Sequence, residues 1–262
     1  MYVPCGKCMS CKIARTREWT TRLTLESYDH ERSCFITLTY RDEDLPVNRS
    51  LSKRELQLFM KRLRKVIPEK IKYYACGEYG DLGDREHYHA IIFGWRPPLE
   101  DLYKVGSKKH PRFVSRMLES VWPYGFNTVG NVTHDSCQYV AGYVRKKSYH
   151  LIDEIYGTRQ PPFQLQSQGL GLAYAERHKE EIKESLHVTD KGKNVGLPRY
   201  FKKKLGVSTE RLYLSHLEQI ADKWLATEHL TDVQRVEYFR SAREQEDKNI
   251  KAKVSLKKRN EI

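Results

Sequence analysis

Two histidines and a glutamate are the residues of this sequence whose types and spacing best suit chemistry. Glu78 ends one apolar run, and His87 and His89 begin the next. Residues 80–84 between the runs contain glycine and aspartate, which predicts two antiparallel strands joined by a loop. Alternate residues of a strand share a face, so both imidazoles point the same way, with Glu78 near them on the neighbouring strand. This set suits a catalytic divalent cation with open positions; surface histidines beside a loop glutamate are the alternative.

A second group of reactive side chains lies on a helix predicted over residues 138–147. At about 100° per residue, Tyr139, Tyr143 and Lys146 fall on one face of this helix. Tyrosine oxygen is a competent nucleophile toward phosphorus, so two phenols and an ammonium on one face suggest covalent catalysis. The alternative is an ordinary aromatic pair with basic neighbours.

Three cysteines near the start of the chain form two overlapping Cys-x-x-Cys spacings: Cys5, Cys8 and Cys11. A two-residue gap lets two thiolates face one metal ion, so the cluster predicts a structural Zn²⁺ site. A closed site needs a fourth ligand, which Cys34 or His30 would have to supply by folding back. An iron–sulfur cluster is disfavoured because a fourth cysteine is missing, and free thiols are the main alternative.

Composition and charge narrow the class of partner. The chain has 262 residues, of which 39% are hydrophobic, and it carries a net charge of +13 with a pI of about 9.4. Such a field favours a polyanion, either nucleic acid or an anionic membrane surface. No apolar stretch is long enough to span a bilayer and no signal peptide precedes Cys5, so we expect nucleic acid, in the cytoplasm, and no membrane. Six cysteines in that setting indicate metal ligands or free thiols instead of disulfides.

The elements that must position these side chains follow from hydrophobic periodicity and capping signals. In order, they are helix 8–29, strand 34–40, helix 52–66, the two strands of the histidine hairpin, helix 114–121 and strand 126–133. The order from residue 34 on is strand, helix, strand, strand, helix, strand. It predicts an α+β fold: a ferredoxin-like or RRM-like antiparallel sheet with helices on one face and the histidines on the uncovered face.

The chain divides into three predicted parts. Residues 1–30 hold the cysteines and the first helix, residues 31–205 hold the sheet and the candidate site, and residues 206–262 form a basic, mostly helical extension. Within the extension, residues 209–225 carry the apolar stripe of a helix. Residues 242–262 are charge-dense, which predicts a mobile tail.

Three of these segments, taken in order, resemble the motifs of the HUH-endonuclease superfamily of rolling-circle replication initiators. More narrowly, they resemble the replication initiation proteins of the microviruses, in the gokushovirus branch. The segments are residues 35–40, 87–94 and 139–146, the last in a two-tyrosine form. The branch also has segments similar to residues 4–8, 169–171 and 197–200. Residues 164–169 depart from the basic, proline-bearing form of the branch, so no DNA contact is inferred there.

The resemblance implies an enzyme that nicks and rejoins single-stranded DNA at a phage replication origin. Its implied site consists of the Mg²⁺ or Mn²⁺ ligands Glu78, His87 and His89, the nucleophiles Tyr139 and Tyr143, the phosphate contact Lys146, and the DNA contacts Arg145 and Lys147. Each tyrosine would form a 5′-phosphotyrosine bond in turn, without a nucleotide cofactor. The implied partners are a host helicase and a host polymerase, in the cytoplasm of a bacterial cell.

Two other functions remain open. A non-enzymatic single-stranded nucleic-acid binder, with an RRM-like sheet and an N-terminal zinc knuckle, would explain the charge and the cysteines. It does not require the glutamate and both histidines on one face, or a second tyrosine one turn from the first. A plasmid relaxase or a transposase of the same superfamily would use the same chemistry, but the two-tyrosine spacing and the cysteines favour the phage initiator.

Overall fold

The chain alternates helices and strands up to residue 196 and, in its described part, contains helices alone beyond it. The structure, a computed structural model, describes residues 5–80, 84–106, 112–146 and 152–259. Its helices are α1 (Met9–Ser27), α2 (Lys53–Val66), α3 (Arg116–Val121), α4 (His134–Lys146), α5 (Ile152–Tyr156), α6 (Leu172–Arg177), α7 (Lys179–Ser185), α8 (Arg199–Lys204), α9 (Thr209–Leu225) and α10 (Asp232–Arg259). Its strands are β1 (Ser33–Tyr40), β2 (Lys72–Tyr79), β3 (Glu86–Phe93), β4 (Leu102–Val105), β5 (Arg112–Ser115), β6 (Gly125–Gly130), β7 (Phe163–Gln166), β8 (His187–Asp190) and β9 (Lys193–Gly196). Residue contacts divide the chain into two units, Met1–Phe201 and Lys202–Ile262.

Within the described residues, seven strands form one antiparallel sheet in the order β4-β5-β6-β1-β3-β2-β7, and β8 and β9 form a separate hairpin. The four central strands have the split βαβ arrangement, since β3 lies between β1 and β2 and β6 flanks β1. The predicted α+β class is therefore confirmed. The sheet is wider than predicted, because the short strands β4, β5 and β7 extend its edges, and Val114, predicted in a helix, lies in β5.

One face of the sheet packs against α2 and α3. The even-numbered residues of β1 are buried on this face, together with the alternate residues of β3. The apolar stripe of α2 covers them with Leu56, Phe59, Met60 and Leu63. Ser52 caps this helix as predicted, since its side-chain oxygen accepts a hydrogen bond from the Glu55 N–H at 3.1 Å. Val66, predicted on the stripe, is exposed.

The opposite face, which carries the histidines, is also covered, against the expectation of helices on one face alone. Here α1 and α4 pack against each other and on the sheet. The physical reason lies in β3, where Ile91 and Phe93 share the histidine face and are fully buried. Burying a side chain of this size contributes about 1.5–3 kcal/mol, so these residues require a cover. Leu23 of α1 and Val140 of α4 supply part of it.

A buried carboxylate anchors α1. Glu26 is fully buried, and its side chain accepts a hydrogen bond from the Gly171 N–H at 2.7 Å. One turn earlier, the Arg22 guanidinium lies 4.0 Å from the ring centroid of Tyr200. The two later segments of the resemblance, which contain Gly171 and Tyr200, therefore fix the position of the first helix.

The second unit consists of helices in its described part. Ser208 caps α9 by accepting a hydrogen bond from the Arg211 N–H at 3.3 Å, and the predicted helix at residues 209–225 is confirmed. The charge-dense segment predicted as mobile forms most of α10. It contains no glycine or proline, and its alanine, glutamate, lysine and arginine residues favour a helix. None of the helices described is long and apolar enough to cross a membrane.

Candidate metal centre and tyrosine pair

The histidine hairpin brings three metal-ligand side chains together. β2 and β3 pair with Glu78 directly opposite His87, and His89 follows two residues further along β3. The Gly80 N–H donates to the Arg85 carbonyl at 2.9 Å where the hairpin turns. Nε2 of His87 and Nε2 of His89 lie 2.7 and 3.3 Å from the same carboxylate oxygen of Glu78. One ligand atom from each residue lies within 4.8 Å of the other two.

The hydrogen bonds of the two rings favour a cation between the ring nitrogens and the carboxylate. His87 Nδ1 lies 3.0 Å from the Arg85 carbonyl oxygen, which can only accept, so this nitrogen carries a hydrogen. A neutral ring then presents a lone pair at Nε2, facing the Glu78 oxygen. These two electron-rich atoms repel each other unless the ring is protonated or a cation lies between them. His89 Nδ1 has a comparable partner in the Thr37 hydroxyl at 2.9 Å, so the donor set fits a divalent metal ion.

The carboxylate of this centre is held in its charged form. Burial raises the pKa of Glu78, but hydrogen bonds from His87 and His89 lower it by more, and the pKa falls to about 2. The residue is 3% exposed, so solvent does little to screen these interactions. Glu78 is therefore ionised at neutral pH, which is the form that binds a cation.

Helix α4 brings both predicted tyrosines to His89. The helix starts with a reciprocal cap, in which the Ser136 N–H donates to Thr133 Oγ1 at 3.1 Å and the Thr133 N–H donates to Ser136 Oγ at 2.8 Å. The cap lies two to three residues earlier than predicted. The ring of Tyr143 stacks on His89 with centroids 5.4 Å apart, and the ring of Tyr139 meets it edge-on at 5.2 Å. The two tyrosine rings are 4.9 Å apart.

The two tyrosines differ in accessibility. Tyr139 is 37% exposed and Tyr143 is 6% exposed. Burial raises the pKa of Tyr143 well above the ordinary value, and the negative charge of Glu78 raises it further. Tyr139 is therefore the phenol that a ligand in solution reaches first.

The basic residues at the end of α4 are described only in part. Arg145 and Lys146 lie in the last turn of the helix, and their side chains are outside the described part of the structure. Lys147 lies outside the described residues altogether. The predicted contacts of these three residues with DNA and phosphate stay predictions.

The N-terminal cysteines converge on one point. The Sγ atoms of Cys5 and Cys11 are 3.9 Å apart, and the sulfur of Cys8 lies within 4.8 Å of both. The Cys8 N–H donates to Cys5 Sγ at 3.3 Å. This backbone hydrogen bond, followed by one from Lys7, lowers the pKa of the Cys5 thiol to about 7, which favours the thiolate that binds metal.

Neither residue predicted as a fourth ligand joins this cluster. Cys34 is fully buried between the sheet and α2, because the alternation of β1 turns it inward. His30 Nε2 lies 2.8 Å from the carboxylate of Glu26 in the buried anchor of α1. Among the residues that the structure describes, no other Cys, His, Asp or Glu groups with the three sulfurs within the same reach.

Several residues around His89 were not predicted from the sequence. Thr37 pairs with His89 across β1 and β3, and the ring of Phe35 stacks on His89 with centroids 5.5 Å apart. Phe126 of β6 pairs with Thr39 on the same face. The split βαβ order places β1 beside β3, so the odd-numbered residues of β1 could have been predicted to face the histidines.

A family model for replication-associated proteins of the ORF2 type matches residues 33–148. That span runs from β1 through α4 and contains the metal centre and both tyrosines. Replication-associated protein ORF2 of Spiroplasma virus 4 is 33% identical to the chain over 238 residues, which cover 84% of the chain and 73% of the relative. The chain belongs to this family of replication-associated proteins.

Two further relatives of this replication-associated protein also come from phages. Replication-associated protein ORF4 of Chlamydia phage 1 is 33% identical over 210 residues, covering 76% of the chain and 52% of the relative. Replication-associated protein VP4 of Bdellovibrio phage phiMH2K is 30% identical over 207 residues, covering 76% of the chain and 65% of the relative. The chain thus spans about half the length of the first and just under two thirds of the second. No solved structure matches it.

Proposed function

We propose that this replication-associated protein nicks and rejoins single-stranded DNA at a phage replication origin through a 5′-phosphotyrosine intermediate. The observation that carries the proposal is the contact of two tyrosine rings with an imidazole of the carboxylate–histidine centre. Transfer of a phosphoryl group from DNA to a side chain requires a nucleophile beside a cation site. The names of the phage relatives support a role in starting phage DNA replication in a bacterial host.

Glu78, His87 and His89 would hold Mg²⁺ or Mn²⁺. A divalent cation bound there would polarise a non-bridging phosphate oxygen and stabilise the negative charge that develops during cleavage. The chain itself keeps the ligands ready, because the Thr37 hydroxyl and the Arg85 carbonyl orient the two rings. No nucleotide cofactor is needed, since the phosphotyrosine bond conserves the energy of the phosphodiester.

In the cleavage step, a tyrosine oxygen forms a bond to phosphorus, and the bond from phosphorus to the 3′ oxygen breaks. The proton of the tyrosine hydroxyl ends on the departing 3′ oxygen, so the products are a 5′-phosphotyrosine and a free 3′-OH. A host polymerase would extend this 3′-OH, and a host helicase would unwind the duplex. After a full circle, the other tyrosine would attack the regenerated origin, and the freed 3′-OH would displace the first tyrosine and close the strand.

The two tyrosines take different turns in this scheme. We assign the first attack to Tyr139, which is the more exposed, and the second to Tyr143. Lys146 would steady the scissile phosphate or a phenolate. Arg145 and Lys147 would contact the DNA backbone, in keeping with the net charge of +13.

The main alternative is a non-enzymatic binder with an RRM-like sheet. Such a sheet presents two or three exposed aromatic side chains on which bases stack. Here α1 and α4 cover the histidine face, and Phe126 is the one large apolar side chain that is exposed within a described strand. This favours the enzyme over the passive binder. A relaxase or transposase would use the same chemistry, but the relatives are named as replication-associated proteins.

For the N-terminal cysteines we propose a structural zinc ion held by Cys5, Cys8 and Cys11. Ligands that surround an ion tetrahedrally at about 2.3 Å are about 3.8 Å from one another. The separation of 3.9 Å between the sulfurs of Cys5 and Cys11 agrees with that edge. A water molecule or a ligand from outside the described residues would complete the coordination.

The nicking function is tested by incubating the protein with a single-stranded origin oligonucleotide and Mn²⁺, followed by denaturing gel electrophoresis. A protein–DNA band that survives denaturation is expected with Mn²⁺ and absent in excess chelator. A band of equal intensity in chelator would contradict the metal centre. Absence of any band under all metal conditions would contradict the phosphotyrosine intermediate.

A further inference from the structure

One aromatic side chain of the sheet is left in solvent. Phe126 in β6 is 62% exposed, and no other large apolar side chain of the described strands is exposed. Its strand neighbours Asn127 and Val129 are buried on the opposite face, so the alternation of β6 puts Phe126 on the histidine face. An aromatic ring kept in water on a regular strand forgoes the stabilisation of burial, which a bound ligand would restore.

The strand register aligns this ring with the metal centre. Phe126 pairs with Thr39 of β1, Thr39 pairs with His87 of β3, and His87 pairs with Glu78 of β2. The four residues therefore form one row across the sheet. Neighbouring strands are about 4.8 Å apart, so two strand spacings, about 10 Å, separate Phe126 from His87. A nucleotide flanking a phosphate at the metal centre is within reach of the ring.

The surface between the ring and the metal centre is low and polar. Thr37 and Thr39 of β1 and Thr128 of β6 lie on this face, and each is partly exposed. Short hydroxyl side chains leave room for an extended backbone and offer hydrogen bonds to phosphate and sugar oxygens. A protein partner would require a contiguous apolar patch, whereas Phe126 is a single ring beside threonines. The arrangement therefore fits a flat base better than a protein.

We propose that Phe126 stacks on a nucleobase next to the scissile phosphate, and that the threonines between Phe126 and the metal centre carry the DNA backbone. The inference rests on the proposed nicking function. Every base has a π-face, so the ring would fix the position of the strand relative to the metal centre without selecting a sequence.

Equilibrium binding of a fluorescein-labelled 20-nucleotide oligothymidylate to the full chain tests the stacking. Phe126→Ala is expected to raise the Kd about 5- to 100-fold, the range that loss of one base–aromatic stack produces. Phe126→Tyr keeps the ring and should bind within about 2-fold of wild type, whereas Phe126→Leu keeps apolar bulk without a π-face and should resemble Phe126→Ala. Leu99→Ala, at a residue that is 80% exposed, is the matched control and should bind as wild type does.

The outcomes separate this inference from the function on which it rests. Equal thermal midpoints for all variants would show that a weakened Phe126→Ala lost binding and not its fold. Wild-type affinity in Phe126→Ala, or in Phe126→Leu, would overturn the stacking site and leave the nicking function intact. A wild-type protein that does not bind the oligothymidylate would contradict the proposed function itself, and the stacking site with it.

Discussion

At the scale of single residues, His89 is the side chain with the most constraints in the site. Its ring stacks with the rings of Phe35 and Tyr143, with interplanar angles of 11° and 3°. Its Nδ1 meets the Thr37 hydroxyl, and its Nε2 faces the Glu78 carboxylate. A ring held on several sides keeps one orientation, so a cation would meet a preorganised ligand.

Thr37→Val removes the hydroxyl that contacts His89 and keeps the β-branched shape. We expect the affinity for Mn²⁺, measured by titration calorimetry without DNA, to fall about 10- to 100-fold, as is usual when a ligating imidazole loses its partner. Thr128→Val makes the same change on the next strand and should leave the affinity unchanged, while His89→Ala should abolish binding. Wild-type affinity in Thr37→Val would show that the hydroxyl does not orient the ring.

Glu78 gives stability that depends on pH. Its pKa is about 2 in the folded protein against an ordinary value of 4.5, so folding favours the ionised form. The contribution is fully present above about pH 4.5 and is lost as the pH falls toward 2. A shift of this size corresponds to about 3 kcal/mol. Urea unfolding of the metal-free protein should show Glu78→Gln destabilised at about pH 6, and the difference from wild type should shrink from about pH 5 to pH 3. A constant difference would contradict the depressed pKa.

At the scale of elements, local signals predicted what local interactions stabilise. The capping box at Ser52, the alternation of β1 and the turn before His87 are each complete within a few residues, and the corresponding elements are present. The strands β4, β5 and β7 are four residues each, too short to show a period. The anchor of α1 joins Glu26 to a residue 145 positions away, and no periodicity encodes such a contact.

Two glycines near α6 test that anchor as a matched pair. Gly169 and Gly171 have φ of +70° and +72°, and a Cβ at Gly171 would lie 2.8 Å from the Arg22 carbonyl oxygen, whereas a Cβ at Gly169 meets nothing within 4 Å. Gly169→Ala should lower the free energy of unfolding by about 1 kcal/mol, for the left-handed backbone alone. Gly171→Ala should cost about 2 kcal/mol more, because α1 must shift. Equal costs in urea denaturation would argue against close packing at this point.

Zinc content tests the N-terminal cluster. Elemental analysis of the purified protein should give about one zinc ion per chain, and Cys11→Ala should lose it. Cys137→Ala is the control, because Cys137 is buried beneath α4 in the core with α1 and should leave the zinc content unchanged. A folded wild-type protein that contains no zinc would leave the three cysteines as thiols.

At the scale of the whole molecule, charge and site lie together. Residues 202–262 contain 14 Lys and Arg against 10 Asp and Glu, a net charge of +4, so residues 1–201 carry the remaining +9 of the total +13. The larger share of the field that attracts a polyanion thus belongs to the unit with the metal centre. Composition was enough to predict a polyanionic partner. The path of the strand past Phe126 depended on the strand order and register, which composition does not contain.

The most direct measurement compares adduct formation by wild type, Tyr139→Phe, Tyr143→Phe and the double variant, with origin oligonucleotide and Mn²⁺ on denaturing gels. Each phenylalanine keeps the ring and its packing and deletes the nucleophilic oxygen. Tyr139→Phe should form the adduct several-fold more slowly, because the remaining phenol is buried. Tyr143→Phe should start at nearly the wild-type rate but fail in repeated rounds of strand transfer. The double variant should bind the oligonucleotide as wild type does and form no adduct; a covalent band from the double variant would contradict tyrosine-based nicking.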